Sequence, residues 1–171
     1  MDAKSDPATA KAATTVERAS ERELVVTRTI NGPARLVFKA WATPELFQRW
    51  WTPKSFGLTL ISHEADVRTG GGYRLVMRHP AADQPMAFFG RYIEVTPPSR
   101  LVWTNDEGGE GAGAVTTVTF EEKDGATRVV VHELYPSKEA LDEAMADGST
   151  TGWSEQFAQL DELIGSLGAK V

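Results

Sequence analysis

Residue types that perform acid–base or metal chemistry are few and scattered in this chain of 171 residues. The three histidines, His63, His79 and His132, lie far apart, and no two have the i, i+4 spacing at which one helix face offers two ligands to a metal ion. Cysteine is absent, which excludes disulfides, thiolate metal sites and cysteine nucleophiles. We therefore expect no metal ion and no cofactor, although folding could still bring two histidines together.

A run of three glycines, Gly70-Gly71-Gly72, at first suggests a phosphate-binding loop. Leu75 stands where the third glycine of a dinucleotide-binding fingerprint belongs, and the run links two predicted strands instead of opening a helix. Nucleophile elbows, Walker-type loops and His-Glu zinc helices are missing from the sequence as well. We interpret the three glycines as a tight connection between strands.

General acid–base catalysis needs a carboxyl group or a histidine in a cavity, where burial changes its pKa. Two residues are candidates for this role, His63 and Glu133. By strict strand alternation His63 shares a face with Ile61, so we expect both side chains to point inward. Glu64 and Asp66 lie on the opposite face, where we expect them to meet solvent or to form surface ion pairs.

The elements that position these residues begin with a strand rich in β-branched residues, Glu23–Ile30. Two short helices follow it: residues 34–41, after Pro33, and a second helix that begins at Thr43-Pro44. Strands separated by turn signals come next, at residues 58–68, 73–78, 86–96, 100–104, 115–121 and 127–134. Hairpin-length connections between them predict an antiparallel sheet of about six to seven strands.

Two helices are predicted at the end of the chain. The first spans residues 137–145, and the second runs from about Ser149 to Leu167. The second carries apolar residues at spacings of four, three, four and three, namely Trp153, Phe157, Leu160, Ile164 and Leu167. Such a stripe has to lie against a large apolar surface, and the sheet is the one available. We therefore predict an α+β fold, with a curved antiparallel sheet wrapped around a long C-terminal helix.

Composition limits the classes of function. With 41% hydrophobic and 25% charged residues, the chain has the make-up of an ordinary globular protein, and we expect one domain at residues 23–168 after a flexible leader at residues 1–22. A net charge of −6 lacks the basic footprint of a nucleic-acid binder, so nucleic acid is not an expected partner. No apolar run approaches the roughly 18 residues of a membrane span, so we expect no transmembrane segment and a cytoplasmic location.

Several motifs together resemble the START-like, or SRPBCC, superfamily with its helix-grip fold. Within it the chain is similar to the branch named after the activator of the heat-shock protein 90 ATPase, over roughly residues 23–167. The matching pieces are Val37–Trp41 with Pro44–Leu46 and Trp50-Trp51, then Asp66–Tyr73, Gly90–Trp103 and Gly152-Trp153. The acidic, glycine-rich segment 105–113 departs from the family pattern, which has a tighter connection there, and we interpret it as a solvated loop.

The resemblance implies a deep cavity between sheet and final helix that holds an apolar small molecule. The faces that converge on such a cavity supply the predicted ligand-binding residues: Trp50, Trp51, Phe56, His63, Tyr73, Leu75, Met77, Phe88, Trp103, Trp153 and Phe157. Core packing is the alternative for each of them, because a pocket wall and a core look alike in sequence. Trp51, next to Thr52-Pro53 at the end of the second helix, is the best candidate to guard the entrance.

Superfamily members include lipid carriers, polyketide cyclases, toxin-sequestering proteins and the co-chaperone activator, so the fold does not settle the function. The leading hypothesis is a protein that binds a small hydrophobic or aromatic ligand, without a defined catalytic activity. A polyketide cyclase-like or other enzyme acting in the same cavity is the second hypothesis. The third is a regulator that contacts the heat-shock protein 90 chaperone. We expect a monomer or a weak homodimer.

Overall fold

The computed structural model describes residues 14–107, 109, 113–146, 148 and 150–168. The strands are β1 (Thr15–Arg18), β2 (Glu23–Ile30), β3 (Thr59–Ala65), β4 (Gly72–Arg78), β5 (Met86–Thr96), β6 (Arg100–Thr104), β7 (Val115–Lys123) and β8 (Ala126–Leu134). The helices are α1 (Ala34–Ala42), α2 (Pro44–Phe47), α3 (Lys138–Ala146) and α4 (Trp153–Gly168), with a 3-10 turn at Lys54–Phe56. None of the described helices is both long enough and apolar enough to cross a lipid bilayer.

All eight strands form one antiparallel sheet in the order β1-β2-β8-β7-β6-β5-β4-β3. The predicted α+β helix-grip fold is confirmed, with eight strands in place of six to seven. The additional strand is β1, which pairs with β2 inside the segment that we predicted as a leader. That prediction is corrected for Thr15–Arg18, and residues 1–13 lie outside the described residues. All four β1 side chains are exposed, so no alternation of burial marked this strand in the sequence.

The predicted apolar stripe of α4 lies in the core, as its spacing requires. Phe157 and Leu160 are fully buried and Ile164 is almost so, within the same cluster as Val26 of β2. Gly32, just after β2, marks the close approach of helix and sheet, since a Cβ there would lie 2.4 Å from Ile164 Cγ2. The helix therefore packs against β2 of the sheet and against α1.

Strand β3 departs from strict alternation. The pairing with β4 shifts register between Leu60 and Ser62, which is the signature of a β-bulge. Ile61 is consequently 53% exposed, and the prediction that it points inward together with His63 is wrong. The strand ends at Ala65, three residues earlier than predicted.

The surface ion pair predicted beyond β3 is present. Asp66 Oδ2 lies 2.7 Å from Arg68 Nε, and both side chains are exposed. The backbone N–H of Asp66 donates to the carbonyl of Gly72 at 2.9 Å, which closes the loop that contains the three glycines. These glycines therefore connect two strands, as interpreted from the sequence.

Candidate functional site

A cavity of about 460 Å³ lies between one face of the sheet and the start of α4. Part of its wall comes from the segment between α2 and β3, and part from the connection between β6 and β7. The residues lining it are Trp41, Phe47, Trp51, Thr52, Pro53, Phe56, Leu58, His63, Tyr73, Leu75, Met77, Phe88, Tyr92, Leu101, Trp103, Asn105, Glu107, Gly113, Ala114, Thr116, Glu133, Tyr135, Ala144, Gly152, Trp153 and Gln156. Most of these side chains are apolar or aromatic, which is the usual make-up of a small-molecule site.

The structure brings most of the predicted ligand-binding residues to this one cavity. Those on its wall are Trp51, Phe56, His63, Tyr73, Leu75, Met77, Phe88, Trp103 and Trp153. Their contact with a ligand remains a prediction.

Trp50 and Phe157 do not line the cavity, and their prediction as ligand-binding residues is corrected. Both are fully buried in the core. The indole N–H of Trp50 donates to the carbonyl of Ala40 at 3.0 Å, which turns the ring toward α1. Phe157 packs against Trp41, at 6.3 Å between ring centroids, on the core side of α4. Helical spacing placed both residues on an apolar face but could not separate core from cavity wall.

All five tryptophans of the chain belong to one connected aromatic cluster. Trp41 lies at its centre, with ring centroids 4.7 Å from Trp50, 6.1 Å from Trp51 and 5.9 Å from Trp103. Trp51 also meets Trp153 edge-on at 5.6 Å. Such edge-to-face and offset pairs fix ring orientations beyond what area burial alone achieves. The apolar part of the cavity thus has a rigid wall.

A hydrogen-bonded polar group of residues lies on the cavity wall where β6, β7 and β8 adjoin. Glu133 accepts hydrogen bonds from Tyr135 Oη at 3.3 Å and from Thr116 Oγ1 at 3.4 Å. Asn105 Nδ2 donates to Thr116 Oγ1 at 3.1 Å, and Tyr73 Oη is 3.4 Å from Asn105 Oδ1. We call these five residues the polar wall; they connect β4 to β8 across the sheet.

Burial shifts the pKa values of the acidic groups on the cavity. It raises the pKa of the Glu133 carboxyl, while the hydrogen bonds from Tyr135 and Thr116 oppose that rise. Partial burial likewise raises the pKa of Glu107, which sits at the rim. Burial also raises the pKa of the Tyr92 phenol to about 12. The cavity therefore favours uncharged forms of its own side chains.

His63 lies far from Glu133, because β3 is five strands from β8 in the sheet order. Its ring lies tilted against that of Phe47, with 5.3 Å between the ring centroids, and its Nδ1 is 3.3 Å from Gln48 Nε2. Burial lowers the pKa of His63, and a hydrogen bond with the Pro44 backbone opposes this. The two acid–base candidates, His63 and Glu133, therefore share a cavity without being neighbours.

Helix α4 holds the segment that carries Trp51 through two glutamines. Gln156 Nε2 donates to the Trp51 carbonyl at 2.5 Å, and Gln159 Nε2 donates to the Thr52 carbonyl at 2.9 Å. The Gln159 side-chain oxygen accepts from the backbone N–H of Lys54 at 2.9 Å. This segment is thus tied to α4 by side chains, although it has little regular structure of its own.

Several residues of the wall were not identified from the sequence. Thr116 and Tyr92 could have been found by alternation, because Thr116 shares its predicted strand face with Val118, and Tyr92 shares its face with Phe88. Asn105 and Glu107 fall in the segment interpreted as a solvated loop, and that interpretation is wrong for Asn105. Its side chain is partly buried and donates to the carbonyl of Ala114 at 2.7 Å. Residues 108 and 110–112 of this loop lie outside the described residues.

In the part of the chain that the structure describes, no three His, Asp or Glu side chains cluster in a way that could hold a metal ion. What the described wall offers is an apolar, aromatic volume with several hydrogen-bonding groups. That arrangement can enclose and orient a small amphiphilic molecule.

Comparison with family models gives a match over residues 31–165 to the family described as Activator of Hsp90 ATPase homolog 1-like protein. This range contains every residue of the polar wall and all five tryptophans of the chain. No curated protein matches the chain significantly.

Solved structures show the same fold at low sequence identity. A protein from Nitrosomonas europaea is 23% identical with a TM-score of 0.78, covering 89% of this chain and 99% of its own. A protein from Rhodobacter sphaeroides is 21% identical with a TM-score of 0.81, covering 91% and 99%. An AHSA1-like protein from Aeromonas hydrophila is 20% identical with a TM-score of 0.64, covering 84% and 94%. At these identities the similarity establishes the architecture.

Proposed function

This chain belongs to the Activator of Hsp90 ATPase homolog 1-like family, and from that premise we propose that it binds a small hydrophobic or aromatic molecule in its cavity. The observation that supports the proposal most is the cavity itself, with about 460 Å³ enclosed by aromatic and aliphatic side chains. This volume falls in the range of roughly 300–1,000 Å³ that small-molecule sites occupy.

Rigid aromatic walls also favour binding. Trp51 and Phe47 stack at 4.7 Å, and Trp51 meets Trp153 edge-on, so the rings are already fixed before a ligand enters. A ligand that enters a preformed apolar site does not have to order these side chains, which removes part of the entropic cost of binding. The polar wall then orients the ligand through a few hydrogen bonds.

A second function, acid–base catalysis in the same cavity, is favoured by one observation. Glu133 is a carboxyl on the cavity wall with a raised pKa, as a general acid or base at neutral pH requires. Turnover of a bound aromatic substrate that disappears in Glu133→Gln, with unchanged ligand affinity, would support catalysis. Equal turnover in the variant and the native chain would exclude Glu133 from such a role.

The binding proposal is tested with a neutral fluorescent probe, N-phenyl-1-naphthylamine, in a titration of the native chain. We expect saturable binding that Leu75→Trp weakens by about tenfold or more, because the new indole occupies the cavity. Ile61→Trp is the matched control, since it adds the same ring on the neighbouring strand at an exposed position. Native mass spectrometry of the gently purified chain should also detect any molecule that the cavity retains.

Two outcomes of this titration would count against the binding proposal. No saturable binding to the native chain, or equal affinity in Leu75→Trp and Ile61→Trp, would contradict the proposal. Thermal unfolding of both variants checks that each is folded.

A further inference from the structure

The charges that face the cavity are uneven, and this bears on the ligand that the proposed binding function would take. Among the described residues on the wall, Glu107 and Glu133 are acidic, His63 is the one basic type, and none is lysine or arginine. Burial lowers the pKa of His63, which favours its neutral form. A negatively charged ligand would therefore meet two carboxyl groups and no opposing cation on the described wall.

The Glu133 carboxylate can accept more hydrogen bonds than its described side-chain partners donate. Its two described side-chain partners, Tyr135 at 3.3 Å and Thr116 at 3.4 Å, are neutral hydroxyl donors at long distance. An ionised carboxylate has about four lone-pair sites for accepting hydrogen bonds, so two contacts leave acceptors available to a ligand. A charge held only by neutral donors is poorly compensated, and a cationic partner in the cavity would compensate it.

Charged groups on the neighbouring elements do not supply that cation. On β8 itself His132 lies on the opposite face of the strand, where its Nε2 is 2.7 Å from Glu23 of β2. The partners across the sheet from Glu133 are Thr116 of β7 and Leu24 of β2, both uncharged. Arg22 donates to the backbone carbonyl of Tyr135 at 2.9 Å and is not among the lining residues.

The sheet register sets the distance between the carboxyl and the aromatic wall. Trp103, Thr116 and Glu133 stand opposite one another on β6, β7 and β8. Adjacent strands are spaced about 4.8 Å apart, so the indole and the carboxyl rows are separated by roughly 10 Å. This distance suits a molecule with a ring system at one end and a short polar head at the other.

We propose that the cavity selects amphiphiles with an apolar aromatic body and a protonated amine head, which Glu133 binds, over otherwise similar carboxylates. The inference rests on the proposed binding function and narrows its ligand class. An ammonium head donates up to three hydrogen bonds to the free acceptors of Glu133, and the body packs against Trp103 and Trp51. A carboxylate head at the same place would repel Glu133 or force it to hold a proton.

Binding of an amine also has a proton signature. Because burial raises the pKa of Glu133 in the free protein, an arriving cation lowers that pKa again and favours loss of the proton. Amine affinity should therefore rise with pH, with proton release, until the pH passes the raised pKa of Glu133 in the free protein; it should then stay level and fall once the amine loses its own proton. A neutral ligand of the same shape should show neither effect.

The test displaces N-phenyl-1-naphthylamine with three matched compounds: 2-naphthylmethylamine, 2-naphthylmethanol and 2-naphthoate. We expect the native chain to bind the amine about tenfold or more tightly than the naphthoate. Glu133→Gln should lower amine affinity by about tenfold and leave alcohol affinity within about threefold. Glu64→Gln, which removes an exposed carboxyl from β3, should change neither.

Each result has a distinct meaning. Naphthoate binding as tightly as the amine on the native chain would overturn the inference and leave the binding function intact. Loss of amine preference in Glu107→Gln with none in Glu133→Gln would overturn the assignment to Glu133. If the fluorescent probe and all three compounds fail to bind, the binding function fails and the inference fails with it. Because the first comparison uses the native chain alone, a misfolded variant would not prevent a decision.

Discussion

At the scale of single residues, Glu133 is where charge and burial conflict most directly. Its carboxyl lies on an apolar cavity wall, and burial raises its pKa above that of the unfolded chain. The protonated acid therefore contributes stability that is fully present below the unfolded pKa and is lost as pH rises through the folded pKa. Each pKa unit by which burial raises the pKa of Glu133 lowers the free energy of unfolding by about 1.4 kcal/mol at high pH.

We expect Glu133→Gln to gain stability relative to the native chain as pH increases, because glutamine does not ionise. The free energy of unfolding of both, measured by urea denaturation between about pH 5 and about pH 8, should diverge in favour of the variant. Glu64→Gln, at an exposed position, should follow the native profile. Parallel profiles for Glu133→Gln and the native chain would show that the carboxyl is not buried as described.

Adjacent tryptophans allow a second prediction at this scale. Trp50 is fully buried in the core, whereas Trp51 is partly buried and lines the cavity. Trp50→Ala should cost about 3–5 kcal/mol of stability, because it leaves a large void and an unpaired Ala40 carbonyl. Trp51→Ala should cost less than half of this and should weaken binding of N-phenyl-1-naphthylamine by about fivefold or more. Urea denaturation and probe titration separate the two effects, and equal stability losses would contradict the division.

At the scale of elements, the N-terminal half of α4 fixes the irregular segment after α2. Gln159 donates to the carbonyls of Trp50 and Thr52 at 2.8 and 2.9 Å and accepts from Lys54 at 2.9 Å. Gln159→Leu removes all three hydrogen bonds and should cost about 1–3 kcal/mol. Amide hydrogen exchange at Lys54 should accelerate, while Glu162→Leu, an exposed position on the same helix, should leave it unchanged. Unchanged exchange in Gln159→Leu would mean that the segment is held by packing alone.

The other half of α4 is joined to β2 by a buried ion pair. Arg28 is 7% exposed and its Nη2 lies 3.2 Å from Asp161 Oδ2, with Asp161 22% exposed. Asp161→Ala leaves the guanidinium buried without its carboxylate and should cost about 2–4 kcal/mol, below the value for a fully buried pair. Asp142→Ala, which breaks the exposed ion pairs with Lys138 and Arg18, should cost much less stability, because solvent screens exposed pairs. Similar losses in the two variants, measured by urea denaturation, would contradict this difference.

Helices and strands could be predicted where burial of one face requires apolar residues at regular spacing in the sequence. The apolar stripe of α4 predicted the longest described helix. The last residue of the stripe is Leu167, one residue before the observed end of the helix at Gly168. Strand β1 has no buried side chain, and the bulge in β3 breaks the alternation that placed Ile61 inward. Both features depend on how a strand pairs with the next strand along the chain, and this pairing leaves no pattern of apolar residues in β1 or at the bulge of β3.

At the scale of the whole molecule, a cavity wall is harder to predict than a fold. Trp50 and Trp51 are adjacent and of the same type, yet the folded chain buries the first ring completely and leaves the cavity beside the second. The polar wall likewise assembles from three strands and the segments after β6 and β8, so no short sequence motif predicts it. Residue type and spacing identified candidates that the structure places on the cavity wall or in the core, but only the assembled fold separates the two.

Ligand binding in the cavity should also affect the stability of the whole molecule. A ligand that binds only the folded state adds RT ln(1 + [L]/Kd), or about 2.7 kcal/mol when its concentration is one hundred times Kd. For a chain of this size each 1 kcal/mol raises Tm by roughly 2–4 °C, so N-phenyl-1-naphthylamine at that concentration should raise Tm by roughly 5–11 °C. Leu75→Trp, whose cavity is filled, should show a much smaller increase, and Ile61→Trp should respond like the native chain. Thermal unfolding followed by circular dichroism measures all three, and an equal increase in Leu75→Trp would place the probe outside the cavity.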